Sequence, residues 1–186
     1  MKKKGLALVL ALTLLVVGVV AGTLAWLTAK SDVVTNTFTT SDIKVELKET
    51  TGTEYKMIPG YTISKNPKAT VLAGSEECFL FVELEKSQNF DTFLTYEMAE
   101  GWTLVPGKTN VYYRKVQTAD IGTVYSVLKG DQVTVKGEVT KAMMDGLTTE
   151  TLPKLTVTAY ASQLHKNATT EFTAAEAWAN VNPTNP

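Results

Sequence analysis

Two stretches constrain the fold of this chain more than anything else in it. In residues 77–86, ECFLFVELEK, and in residues 154–162, KLTVTAYAS, side-chain character alternates at every second position. That is the period of a pleated strand, whose successive side chains point to opposite faces, and not of a helix. In the first stretch Cys78, Leu80, Val82 and Leu84 make one wholly apolar face. Phe79, Phe81, Glu83 and Glu85 make the other, so the strand is expected to start under cover and run out to solvent. In the second, Leu155, Val157, Ala159 and Ala161 alternate with Thr156, Thr158, Tyr160 and Ser162.

The same reading gives strands over residues 43–47, 68–72, 94–98, 111–116, 123–128 and 132–136. Breakers separate them: Pro59-Gly60, which fits the two centre positions of a type II turn, then Ala73-Gly74-Ser75, Pro106-Gly107-Lys108 and Lys129-Gly130-Asp131. Many short strands with turns between them indicate an all-β antiparallel sandwich or barrel rather than alternating β and α units. Two short helices interrupt. TKAMMDGL has Thr140 as cap and Gly146 as stop. FTAAEAWANVNP has a capping box of Thr173 and Glu176, with Phe172 placed to staple onto Ala177 and Pro183 closing the segment. Trp178 either packs this helix on the sheet or sits on an appended tail.

A hydrophobic share of 44% against 20% charged residues suits a packed core. The formal net charge of -1, with no basic patch beyond the first four residues, argues against nucleic acid as a partner. One cysteine, Cys78, allows no internal disulfide.

The N-terminus carries an address. Lys2, Lys3 and Lys4 precede an uncharged apolar run, and Thr23-Leu24-Ala25 supplies small residues at the -3 and -1 positions of a cleavage site before Trp26. Residues 1–25 therefore read as a signal peptide helix and the product as secreted. The competing reading is a membrane anchor, because residues 5–27 are about long enough to span a bilayer. On the first reading the membrane is met only through the uncleaved leader. Residues 26–40 then form an N-terminal segment and residues 41–186 the sandwich domain. Loss of the three lysines leaves acidic side chains in excess, which suits solubility.

Catalytic chemistry is thinly represented. His165 is the only histidine, and neither H-E-x-x-H nor G-x-S-x-G occurs. Cys78, on an apolar strand face, reads as a small hydrophobe. Glu76-Glu77 after a Gly-Ser turn reads as a solvated pair, with a loose cation as the alternative. No Gly-rich phosphate loop is present. No catalytic, cofactor or metal residue is assigned. Trp102, Tyr112, Tyr113 and Tyr125 form either a carbohydrate platform or core and cross-strand pairs. Asn167-Ala168-Thr169 matches a glycosylation sequon.

The segment GTLAWLTAKSDVVTNTFTTSDIKVEL, residues 22–47, resembles the start of TasA-like and camelysin-like (CalY) proteins of Gram-positive bacteria. Their precursors carry a leader ending G-T-x-A, then an aromatic residue, a short polar stretch, and N-x-F-x-x-G followed by alternating apolar residues. The matching pieces are Gly22-Thr23-Leu24-Ala25, Trp26, Asn36-Thr37-Phe38 and Ile43-Lys44-Val45-Glu46-Leu47, with Ser41 where the family often has glycine. MIPGYTISKNPKATVLAGSEECFLFVELE, residues 57–85, is similar to the family's P-G turn, K-x-P strand and next apolar strand. The likeness covers the chain to Glu85 and is general beyond it.

The resemblance implies removal of the leader by a dedicated signal peptidase of the SipW kind. It also implies a jelly-roll-like fold and polymerisation into extracellular biofilm matrix fibres, the N-terminal strand of one subunit completing the sheet of the next. Val34, Asn36 and Phe38 would lie on such a donor strand, with Val34 and Phe38 as knobs. The alternative is that the segment folds back as the first strand of its own domain. Camelysin members are also classed as metalloproteases, an activity not carried over here because no zinc motif is present. Two functions stand: a homopolymeric subunit of secreted matrix fibres, or a monomeric secreted or cell-surface module that binds a glycan or a protein.

Overall fold

The computed structural model describes residues 42–52 and 55–181. The proposed leader, its cleavage residues Thr23, Ala25 and Trp26, and the strand residues Val34, Asn36 and Phe38 lie outside the described residues. Among those described, the protein is mostly β, every ladder is antiparallel, and the helices are short. None of these helices is long and apolar enough to cross a membrane.

The chain forms β1 (Val45–Lys48), β2 (Thr62–Ser64), β3 (Lys68–Val71), β4 (Cys78–Lys86), α1 (Phe90–Phe93), β5 (Leu94–Thr95), β6 (Thr103–Leu104) and β7 (Val111–Val116). It continues through β8 (Val124–Ser126), β9 (Gln132–Val135), α2 (Lys141–Asp145), β10 (Leu155–Gln163), β11 (His165–Asn167), β12 (Thr170–Glu171) and α3 (Ala174–Val181). One layer is the four-stranded sheet β10-β4-β7-β6. Opposite it stand two three-stranded sheets, β1-β3-β8 and β2-β9-β5. β11 and β12 make a separate hairpin.

β4 organises both sides of the molecule, as its alternation requires. Cys78, Leu80, Val82 and Leu84 are fully buried against Ala69 and Val71 of β3, Val133 and Val135 of β9, and Leu94. This is the sandwich core. Phe79 and Phe81 point the other way and are buried beneath α3, while Glu83 is half-buried and Glu85 exposed. The covered-then-wet face read from the sequence is therefore present, and α3 is its cover. Ala174, Ala177, Trp178 and Val181 recur at helical spacing and face that second core. The capping box forms: Glu176 N–H donates to Thr173 Oγ1 at 3.3 Å, and Thr173 N–H donates to Glu176 Oε2 at 2.9 Å. Trp178 packs on the sheet 5.3 Å from Phe81 and edge-on to Tyr160 at 5.1 Å.

Several boundaries differ from the sequence reading. The first strand starts at Val45 rather than Ile43, although Ile43, Val45 and Leu47 share the core-facing side as expected. The segment 94–98 pairs only over Leu94–Thr95, because its chain leaves the β9 ladder and touches β8's C-terminal extension through a lone Met98–Leu128 bridge. α2 has its Thr140 cap, the hydroxyl accepting from Met143 N–H at 3.3 Å, and Gly146 at its end. The Pro59-Gly60 turn is closed by Tyr61 N–H to the Ile58 carbonyl at 3.0 Å, with Gly60 at φ +78° as a type II turn demands.

Candidate strand-acceptor edge

β10 is an edge strand nine residues long, paired with β4 without a break from Leu155↔Lys86 to Gln163↔Cys78. Its other side pairs with no strand among the described residues, and no backbone hydrogen bond leaves it for another segment there. Sheets ordinarily guard such edges with charges, proline, bulges or brevity. β2, β5, β6 and β8 are each three residues or shorter, and β1 carries Glu46 and Lys48. β10, LTVTAYASQ, has no charge, no proline, no glycine and no register shift.

Its surroundings are concave at both ends. A cavity of about 390 Å³ lies beside Leu155 and Thr156 and is walled by Met57, Ile63, Phe90 and Val133. A second, of about 420 Å³, is lined by Ala161, Ser162 and Gln163 together with Ile43 and Val181. Between them β1 lies against β10 without bonding to it. Leu152 on the rim of the first cavity is exposed, as are Ile58 and Tyr61 on the neighbouring turn. The helix-side face of β10 is held by Tyr160, whose hydroxyl donates to Glu83 Oε2 at 3.2 Å. Burial, and then the Glu83 carboxylate, raise the Tyr160 pKa, so the hydroxyl keeps its proton and remains a donor.

The edge meets the start of the described chain. Ile43 and Ala161–Gln163 wall the same cavity, so the first described residues lie at the C-terminal end of β10. A segment of the same chain that ran along the edge straight into Ile43 would travel parallel to β10. Every ladder among the described residues is antiparallel.

The other residues weighed from sequence are placed as follows. Cys78 is buried in the core and burial pushes its thiol up to about 11, which leaves it protonated and inert at neutral pH. His165 lies in β11 with Nε2 3.3 Å from Glu77 Oε2. Glu77 also accepts from the backbone N–H and the hydroxyl of Thr118, and these bonds lower its pKa. Glu76 is exposed and donates its N–H to the Asp42 carbonyl. Among the described residues no three of His, Cys, Asp and Glu gather around one point. Asn167 Oδ1 accepts from Thr169 N–H in an exposed turn.

The aromatic quartet does not form one platform. Tyr113 faces α3 with Phe79 and Phe81, whereas Trp102, Tyr112 and Tyr125 pack on the core side of the sheet. Trp102 and Tyr125 hold the guanidinium of Arg114 instead, at 5.1 and 3.8 Å from their ring centres. Arg114 was not singled out by sequence reasoning. The signal was there, since it is the only arginine in the chain and alternates with Tyr112 on one strand face.

Compared with protein-family models, curated proteins and solved structures, the chain gave no match.

Proposed function

We propose that this chain is a secreted structural protein, a subunit of extracellular biofilm matrix fibres that polymerises by strand addition at the free edge of β10. The observation that carries this reading is the nine-residue edge without a guarding charge, proline or bulge. Backbone N–H and C=O groups on such an edge supply affinity to an incoming strand, and pockets for alternate side chains supply register. The two cavities at the ends of β10 are placed to take such side chains, and Val34 and Phe38 are the knobs the N-terminal segment offers. Donation from a neighbour removes the need for the parallel pairing that direct fold-back would impose. Contacts of this head-to-tail kind do not close, so they produce filaments. The resemblance of residues 22–85 to TasA-like proteins supports the same reading. With it come the jelly-roll-like arrangement of the sandwich and cleavage after Ala25 by a signal peptidase, which frees the segment only after export.

The binding-module reading is less well supported, because the faces of Trp102 and Tyr125 are occupied by Arg114 rather than free to stack on a sugar.

Negative-stain electron microscopy of the chain from Trp26 to Pro186, beside one starting at Ser41 and beside the longer chain carrying Thr156→Lys, tests the proposal. Thr156 is exposed and sits opposite Glu85, so lysine there makes a favourable cross-strand pair within the subunit while placing a charge on the free edge. Concentration-dependent filaments are expected only from the longer unsubstituted chain. Filaments from the Ser41 chain, or undiminished filaments from Thr156→Lys, would sink strand addition at this edge.

A further inference from the structure

We propose that Arg114 is the anchor of a binding site for small carboxylate ligands, on the side of the sheet away from β10. Arg114 lies on β7, which is separated from β10 by β4. Its guanidinium is stacked against Tyr125, 3.8 Å from the ring centre, with Trp102 5.1 Å away. Trp102 is itself fixed, its indole N–H donating to the Ser126 carbonyl at 2.8 Å. Gly101 closes against Nη2 so tightly that a Cβ there would fall 2.1 Å from it. Three neighbours therefore hold one half-buried guanidinium in one place.

The edge of the group tells a different story from its face. A guanidinium carries five N–H donors and no acceptor. Among the described residues, none of these donors meets an acceptor, and Arg114 forms no ion pair. Lys86 and Lys166, by contrast, have the carboxylates of Asp91 and Glu176 at hand. Arg114 is only half-buried and none of its nitrogens is sealed from solvent without a partner, so these donors face water and are free to exchange it for a ligand oxygen. Burial lowers the Arg114 pKa, but arginine stays charged at any working pH. Asp120, exposed nearby, is felt electrostatically without bonding to the group. A planar fork held by its faces and short of acceptors matches the two oxygens of a carboxylate, which it takes in a bidentate pair. The single cation and the nearby Asp120 disfavour a polyanion.

The lone arginine provides its own reporter, since its Nε–H gives one resonance in the ¹⁵N-labelled full chain. Acetate, galacturonate and N-acetylalanine are titrated at constant ionic strength, with galactose, chloride and inorganic phosphate as controls. Saturable movement of the Arg114 resonance by the carboxylates is expected, and little by galactose or chloride. The stronger of galacturonate and N-acetylalanine then says whether the carboxylate belongs to a sugar acid or a peptide terminus. Arg114→Lys should weaken binding about tenfold or more, having lost the bidentate fork, with the Trp102 indole resonance kept as evidence of an intact stack partner. Asp120→Asn should tighten binding, an effect that a purely structural stack does not predict. An Arg114 resonance unmoved by all three carboxylates, moved equally by chloride, or moved by phosphate alone would overturn the proposal. So would carboxylate binding unchanged in Arg114→Lys.

Discussion

The two sides of the four-stranded sheet are finished in opposite ways. On the β6 side the edge is two residues long, and the sheet is tied to its opposing layer by side chains. Trp102 reaches the backbone of Ser126, and Arg114 of β7 stacks on Tyr125 of β8. On the β10 side the edge is nine residues long and uncharged, β1 approaches without bonding, and a cavity lies at each end. A protein that needed only to close its sandwich would treat both sides alike. The difference teaches that the β6 edge is kept short and braced across the layers by side chains, whereas the β10 edge, among the described residues, is long and backed only by β4 and α3.

The comparison breaks most readily at Trp178, which backs the open edge from behind. Its ring covers Phe81 and meets Tyr160 of β10 edge-on, and it is almost fully buried. Trp178→Ala should cost about 3–5 kcal/mol in urea unfolding, the usual range for emptying a buried tryptophan site. Hydrogen exchange separates the two sides more finely. β10 amides should lose protection well before those of β7, because β10 has one strand neighbour and relies on α3 for its outer face. Equal loss on both strands would mean that the open edge is no weaker than the closed one.

The sequence made the strands legible where alternation was strict. β4, β7 and β10 were read to within a residue, because each packs an alternate set at least partly against a core and a slip by one would turn it outward. The capping box of α3 was legible for an equally local reason. α1, β2, β6 and the β11–β12 hairpin were not read. Each is four residues or fewer, too short to show a period, and exists because neighbouring backbone is in position to pair. The lone arginine at 114 was visible in the sequence, but the partners of its stack were not. The stack joins Gly101, Trp102, Arg114 and Tyr125 from three strand connections, and only the pairing of β6 with β7 and the facing of β7 onto β8 bring them together. The openness of β10 is a statement about topology, and a strand's sequence does not say which of its two edges is taken.

On the closed side the sharpest probe is Gly101→Ala. Gly101 has φ +83°, where an L side chain costs roughly 1–2 kcal/mol, and the new Cβ would overlap Nη2 of Arg114. The guanidinium is the end of a flexible side chain and can move, so the total is expected at about 1–3 kcal/mol, below that of Trp178→Ala. The readout specific to the stack is the Tyr125 ring resonances, which should shift as Arg114 leaves its face. A stability loss with those resonances unchanged would reduce Gly101 to a turn glycine and remove it from the closure of this side.

The smallest effect sharpens the open side through the cap of α3. Glu176 has its pKa held down to about 2, first by the ammonium of Lys166, 2.6 Å from Oε1, and then by the backbone and hydroxyl of Thr173. An unfolded glutamate titrates near 4.5, so the folded chain binds this proton less readily than the unfolded one. The contribution is thus present above pH 4.5 and is lost as the pH falls from there towards 2. Because Glu176 is exposed, solvent and salt screen the pairing, and its effect is modest beside the two substitutions above. Unfolding of the native chain and of Glu176→Gln should differ at pH 6, and the gap should narrow from pH 4.5 downwards and close towards pH 2. Strand protection should report the same change unequally, falling in β10, which α3 covers through Trp178, and not in β7's partner β6, which α3 does not cover. A pH-independent gap between the two proteins would mean that glutamine loses the cap by its shape, and that the charge on this carboxylate does nothing for the helix that supports the open edge.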